Sequence, residues 1–458
     1  MSSMNPKAFM STPRKVGGYR PVAERVTDFS EVELPLSGAE LHRQAERCMN
    51  CGIPFCHGLG CPLGNLIPDF NTAVFRGDWK TAWELLSYTS PFPEFTSRVC
   101  PALCEGSCTS GLDYGSVAIR HIERKIVDTA YENDWVKPDV PERRSGKTVS
   151  IIGSGPSGLA AAVLLNRRGH RVTVYEKDHE PGGLLRYGIP AFKLSKKLID
   201  RRIDIMKASG IDFVTDTEIG EDVSAEYLAK KRDLLLIAVG TPEARDLSVP
   251  GRELEQVHFA LDFLKGENRV LMEELETVPV SAKGQHVLVI GGGDTGSDCV
   301  GTSLRQGAAS VTQIEIMPEP PQERSRYNSW PQWPRILRTS SSHEEGCLRR
   351  WNLETIRFIE DNQKLCGVEV VPVSWSESSD GRLCGFDRIG KPEEIRADLV
   401  LLALGFLKTD RDKTLQRFHL TNSSNVFFAG DAANGPSLVV RAIADGMKIS
   451  EQMASRLE

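Results

Sequence analysis

The sequence predicts an α/β chain with a helical N-terminal third, and three observations carry that expectation. A strand, a glycine-rich loop, a helix and a second strand occur in that order from Lys147, and the same unit recurs from His286. Seven of the 11 cysteines crowd into residues 48–108, a region with no such unit. Two βαβ units of this kind make the C-terminal two-thirds Rossmann-like, with helices packed on parallel strands.

Length and composition bound what the chain can be. At 458 residues it has room for about three domains. A net charge of −6 does not suit a nucleic-acid binder, whose basic residues outnumber acidic ones. Uninterrupted apolar runs such as Leu234–Val239 and Leu399–Leu404 are far too short to span a membrane. The opening residues M-S-S-M-N-P-K-A-F-M have no apolar signal core, so a cytoplasmic protein is expected.

The N-terminal region, residues 1–145, predicts short helices broken by Pro, Gly and Cys. Asp78–Leu86 is one, and 117–130 is another, with Ile119, Ile122, Ile126 and Ala130 on one face. Residues 136–142 read as a linker.

The first βαβ unit runs as strand Thr148–Ile152, loop Gly153-Ser154-Gly155-Pro156-Ser157-Gly158, helix Leu159–Arg168 and strand Arg171–Tyr175. In this pattern Gly153 permits the turn, Gly155 admits a pyrophosphate and Gly158 lets the helix pack on the strand. Glu176, 18 positions past the last glycine, is placed to accept hydrogen bonds from a ribose. A late apolar strand, Val426–Ala429, ends in Gly430-Asp431 before a helix from about Ser437. There an Asp carboxylate can hold a ribityl chain, so the first site is expected to take FAD. Gly183, in the glycine pair that follows Glu176, joins the same candidate site. Leu234–Gly240 and Leu399–Gly405 are apolar strands ending in Gly, as expected where a chain passes between a flavin and a nicotinamide unit. The expected division is 146–242 plus 404–458 for FAD and 243–403 for NAD(P)H.

The second unit has strand His286–Ile290, loop Gly291-Gly292-Gly293-Asp294-Thr295-Gly296, a helix to about Gln306 and a strand Val311–Ile316. Gly291, Gly293 and Gly296 repeat the glycine roles for a nicotinamide dinucleotide. Glu315 stands at the strand end, where an acid favours a free 2′-hydroxyl and repels a 2′-phosphate. Arg324 and Arg326 follow and could reverse that preference, and a plain surface contact by Glu315 stays open.

Among the cysteines, Cys48, Cys51, Cys56 and Cys61 are closely spaced, and Cys100, Cys104 and Cys108 add three more. Zinc usually takes paired C-x2-C knuckles, of which there is one here. Iron–sulfur clusters take runs of three cysteines with a distant fourth, and the Cys before Pro ligates the other cluster. On that logic Cys48, Cys51 and Cys56 share one 4Fe–4S cluster and Cys61 joins the second. Two clusters need eight ligands. Glu123 lies at or beside the apolar face of helix 117–130 with no cation four residues on, which makes it the candidate eighth; pairing with Arg120 or simple exposure are its alternatives. The remaining cysteines, Cys299, Cys347, Cys366 and Cys384, are singletons expected in the core, so no dithiol stands by a flavin.

These residues resemble the small (β) subunit of glutamate synthase over essentially the whole chain. The resemblance rests on Cys48-Met49-Asn50-Cys51-Gly52-Ile53-Pro54-Phe55-Cys56, Arg98-Val99-Cys100-Pro101-Ala102-Leu103-Cys104-Glu105, Arg186-Tyr187-Gly188-Ile189-Pro190 and Trp330-Pro331-Gln332-Trp333-Pro334. The N-terminal half of dihydropyrimidine dehydrogenase shares the architecture, and a glutamine at the position of Glu123 ligates iron there. The resemblance implies electron flow from NADPH or NADH through FAD and two 4Fe–4S clusters to a large (alpha) subunit that makes glutamate from glutamine and 2-oxoglutarate. Glu315-Ile316-Met317-Pro318 departs from the strand-end arginines of some NADPH-using relatives. Two other readings use the same residues: a stand-alone NAD(P)H:acceptor oxidoreductase, and a zinc-stabilised nucleotide-binding protein.

Overall fold

A computed structural model of the chain describes residues 4–241, 243–420 and 424–458, so the expected boundary residue 242 lies outside the described residues. The N-terminal third is helical. Its longer helices are Gly38–Glu46, Ile67–Phe75, Trp79–Thr89 and Ile119–Glu132. Ser37 and Asp78 start two of them by accepting the Glu40 and Thr81 backbone N–H groups at 3.3 and 3.1 Å. Helix Ile119–Glu132 buries Ile119, Ile122, Ile126 and Ala130, together with Phe70, Leu86 and Trp83 from its neighbours.

Two five-stranded parallel sheets follow. In the first, Val426–Phe428, Leu234–Ile237, Thr148–Ile152, Arg171–Tyr175 and Asp212–Val214 lie side by side in that order. In the second the order is Val257–Phe259, Leu399–Leu402, His286–Ile290, Ser310–Ile314 and Cys347–Arg350. The central strands Leu234–Ile237 and Leu399–Leu402 are buried on both faces, which is why they read as continuous apolar runs rather than alternating ones. An antiparallel sheet of Leu353–Asp361, Lys364–Glu377, Leu383–Arg388 and Glu393–Arg396 is inserted before Leu399.

The connections between the two sheets run alongside each other. Arg245 N–H donates to Gly405 O and Leu407 N–H to Glu243 O, at 2.9 and 2.8 Å. The last strand of the second βαβ unit closes at Ile314, two residues before the expected Ile316, which leaves Glu315 just past the sheet edge. Of the four singleton cysteines expected in the core, Cys299 is buried, Cys347 and Cys366 are half-buried, and Cys384 is exposed. The exposed one sits on an antiparallel strand with an open face, where no core exists to receive it.

The lobes are tied by buried ion pairs. Arg202 from the first sheet's side pairs with Glu94 of the N-terminal lobe, and Arg25 of that lobe pairs with Glu345 beside the second sheet at 2.7 Å. Lys193 pairs with Asp298 across the two sheet units.

Candidate functional site

The first glycine loop follows strand Thr148–Ile152 and opens the helix Pro156–Arg167. Its glycines do different work. A Cβ on Gly153, whose φ is +99°, would stand 2.5 Å from Ala238 O, and one on Gly158 would stand 2.2 Å from Gly153 O. Gly155 has nothing within 4 Å. The fold therefore requires the first and third glycines, whereas the space at Gly155 is open to a ligand. Glu176 is buried and turned onto this loop: its carboxylate accepts Ser154 N–H at 3.0 Å, Ser154 Oγ at 2.5 Å and Asp178 N–H at 3.0 Å.

Gly183 and Gly430 close on the same loop. A Cβ on Gly183 would lie 2.8 Å from Gly155 Cα, and one on Gly430 would lie 2.4 Å from Ser157 Oγ. Asp431 follows at the start of a short helical turn, accepting Ser437 Oγ at 2.6 Å, and burial pushes its carboxyl above the usual range. Ser154 carried no signal in the sequence, yet its hydroxyl joins Glu176 to Gly182 N–H at 2.9 Å.

The second loop repeats this geometry. Cβ atoms on Gly291 and Gly296 would stand 2.2 Å from Ala403 O and 2.3 Å from Gly291 O, while Gly293 has nothing within 4 Å. Glu315 occupies the counterpart of Glu176 and accepts Gly292 N–H at 2.6 Å and Met317 N–H at 3.1 Å. Arg324 departs from the expectation that it serves the nucleotide. Its guanidinium donates to Gln332 O at 2.6 Å and to Gly106 O of the N-terminal lobe at 2.8 Å. Arg326 lies over the Tyr327 ring.

The seven clustered cysteines divide between two small cavities in the N-terminal lobe. Cys48, Cys51, Cys56 and Cys108 line one, and Cys61, Cys100, Cys104 and Glu123 line the other. None of the seven is in a disulfide. The turn Cys56–Gly60 separates the cavities, packed so closely on Cys104 that a Cβ on Gly60 would lie 2.7 Å from Cys104 Cα. Burial pushes the Cys56 and Cys61 thiols up to about 12 and Cys100 to about 11. Such thiols stay protonated unless a metal takes the proton's place. Glu123 is buried, held by Asn65 Nδ2–H at 2.9 Å, and burial raises its carboxyl to about 7. Arg120, the alternative partner, pairs with Glu33 instead.

Among the described residues no group of three or more His, Cys, Asp or Glu side chains is drawn close enough to hold a metal ion. The Asn71 amide, fully buried at the first cavity, has no nitrogen or oxygen partner and lies beside the Cys48 thiol. The second cavity also receives Val440 from the C-terminal helix that follows Asp431. A cleft of about 1220 Å³ opens elsewhere, among Glu31, Arg98, Arg186, Lys196 and Arg269, and neither glycine loop lines it. Among the described residues no helix is long and apolar enough to cross a membrane.

Comparison with known proteins gives two family models. Residues 25–135 match dihydropyrimidine dehydrogenase domain II, 4Fe-4S cluster, and residues 147–333 match pyridine nucleotide-disulphide oxidoreductase. The glutamate synthase [NADPH] small chain of Mycobacterium tuberculosis is 44% identical, over 96% of this chain and 94% of that one. The glutamate synthase [NADH] of Saccharomyces cerevisiae is 42% identical over 96% of this chain, which corresponds to 22% of that protein. Among solved structures, FprA from M. tuberculosis in complex with NADPH shares the fold with a TM-score of 0.53, at 19% identity, over 68% of this chain and 84% of that one.

Proposed function

Since the chain belongs to the glutamate synthase small-chain family, we propose that it is the NAD(P)H-dependent electron-input subunit of that enzyme, acting in the cytoplasm with a large subunit that makes glutamate from glutamine and 2-oxoglutarate. FAD belongs at the Gly153–Gly158 loop and the nicotinamide nucleotide at Gly291–Gly296. One 4Fe–4S cluster belongs to Cys48, Cys51, Cys56 and Cys108, and the other to Cys61, Cys100, Cys104 and Glu123. The corresponding division of the chain is 1–145, 146–242 plus 404–458, and 243–403.

Bound there, flavin and clusters would supply hydride acceptance and single-electron transfer, chemistry that no side chain provides. The protein's part is binding, orientation and exclusion of water. Open space at Gly155 and Gly293 leaves backbone N–H groups at two helix N-termini to face diphosphates. Glu176 and Glu315 hold those loops in shape and present carboxylate oxygen to a ribose. Asp431 is set by Ser437 to meet a ribityl hydroxyl.

The order of the sites carries this reading. The Cys61–Glu123 cavity shares Val440 with the helix that closes the first glycine loop's unit, and the Cys48–Cys108 cavity lies beyond the Cys56–Gly60 turn. That arrangement supports a reading in which Cys61, Cys100, Cys104 and Glu123 would hold the cluster nearer the first glycine loop's unit, and Cys48, Cys51, Cys56 and Cys108 the farther one, each supplying single-electron transfer. Four donors lining each of two cavities support two clusters whose irons each take one ligand.

A visible spectrum with metal and flavin analysis tests the proposal. Flavin absorption on a broad iron–sulfur background, with about eight irons per chain, is expected. A colourless protein with stoichiometric zinc would overturn it.

A further inference from the structure

The connection between strands Ser310–Ile314 and Cys347–Arg350 spans residues 315–346, far longer than the link between neighbouring parallel strands requires. Connections beyond about 15 residues are uncommon unless they serve a function. This one leaves the second sheet and lies against the cysteine-bearing lobe. Trp330 packs on Phe55, the residue before Cys56, with ring centroids 4.6 Å apart. Trp333 lies on Gly106, between Cys104 and Cys108, so closely that a Cβ there would be 2.8 Å from the indole. Ser107 Oγ donates to Pro331 O at 2.8 Å, and Arg324 reaches Gly106 O.

Among the described residues the Trp330 indole N–H is buried here without a hydrogen-bond partner. A segment that merely joined two strands has no reason to bear that desolvation cost. Trp330 thus meets the residue that leads into the turn Cys56–Gly60, and Trp333 meets the end of the turn Leu103–Gly106.

We infer that this strap is an outer cover over the residues that line the two cysteine cavities: Trp330 and Trp333, carried by the nucleotide-binding unit, keep water and oxygen from the clusters, and Arg324 pins the strap in place. The inference rests on the cluster reading above. The groups around a metal centre control solvent access, and with it cluster stability. The strap begins at Glu315, so one segment both shapes the nucleotide loop and covers the cysteines.

The full-length protein is purified without oxygen and exposed to air while its iron–sulfur absorbance is followed. Trp330→Ala with Trp333→Ala should bleach roughly tenfold faster than wild type, as is usual when groups around metal ligands are removed. Flavin content and circular dichroism should stay unchanged. Trp330→Phe, which keeps the cover, should bleach at the wild-type rate. Arg324→Met, which frees the strap without removing aromatic surface, should bleach faster and covers the case in which the double variant does not fold. Wild-type bleaching in a folded Arg324→Met or double-alanine variant would overturn the inference. Wild-type protein without iron would instead overturn the cluster reading.

Discussion

Replacing one glycine at a time in each loop separates what the fold needs from what a ligand needs. Gly155→Ala adds a methyl to a residue at φ −66°, with nothing within 4 Å. Stability should change by about 0.5 kcal/mol or rise slightly, because the unfolded chain loses freedom. Gly158→Ala puts a methyl 2.2 Å from Gly153 O, backbone against backbone, where neither side can yield cheaply. Overpacking of that kind costs about 2–4 kcal/mol, a large share of the ~5–15 kcal/mol that holds a domain folded. The order reverses for binding. If the open space at Gly155 is where a diphosphate approaches, the methyl holds it off the helix N-terminus and weakens one or two charge-assisted bonds. The loss is about 2–4 kcal/mol, roughly 30- to 700-fold in Kd. Flavin content and thermal melting of both variants read the two effects, with Gly293→Ala and Gly296→Ala as the counterparts, read by KM for NAD(P)H and by melting. Full flavin in Gly155→Ala, or a normal KM in Gly293→Ala, would refute the assignment of the open glycines to ligands.

The other expectations are shorter. Glu315 should bias the second site toward NADH by about 1–2 kcal/mol through repulsion of a 2′-phosphate, and Glu315→Gln should erase most of that bias. The ratio of kcat/KM for flavin reduction by NADH and NADPH decides it, and a wild-type preference for NADPH would mean that other groups govern the site. Asp431→Ala should lower flavin content while the flavin-free protein melts close to wild type, since among the described residues its carboxylate engages Ser437 through its hydroxyl and backbone N–H; unchanged flavin would misplace the ribityl contact. Cys104→Ser, at the cavity nearer the flavin unit, should leave dye reduction by NAD(P)H intact while the complex reconstituted with a large subunit loses glutamate formation. Normal glutamate synthesis by that variant would remove the clusters from the electron route.

What could be read before folding was whatever repeats or alternates along the chain. The two glycine loops announced themselves because strand, turn and helix are local, and Glu176 and Glu315 were placed by counting from a strand end. Both stand just past their strand ends, where their carboxylates accept the N–H groups of Ser154 and Gly292, contacts the count did not give. Partition of the cysteines was half legible. Local spacing joined Cys48, Cys51 and Cys56 and set Cys61 apart, but the fourth member of the first cavity, Cys108, is supplied by a segment more than 50 residues away. Glu123 was ambiguous for a related reason: helical periodicity gives the face, and only the neighbouring helices decide whether that face meets Arg120, solvent or three thiols. Arg324 misled because sequence proximity to Glu315 carries no direction. The strap turns away from the sheet after Met317, so an arginine nine positions past the acid reaches Gly106 of another lobe instead of a ribose. Lys193 with Asp298 and Arg25 with Glu345 were invisible for the same cause, since each pair is made by charges far apart in the chain and buried only once the lobes meet. The two glycine loops and their acids are thus encoded locally, at turns and strand ends, whereas the cysteine cavities and the relation between nucleotide unit and cysteine lobe are encoded in long-range contacts. Electron transfer depends on that relation, because a fixed path needs the lobes to hold one arrangement, and the buried pairs together with the Trp330–Trp333 strap are the means this chain has for holding it.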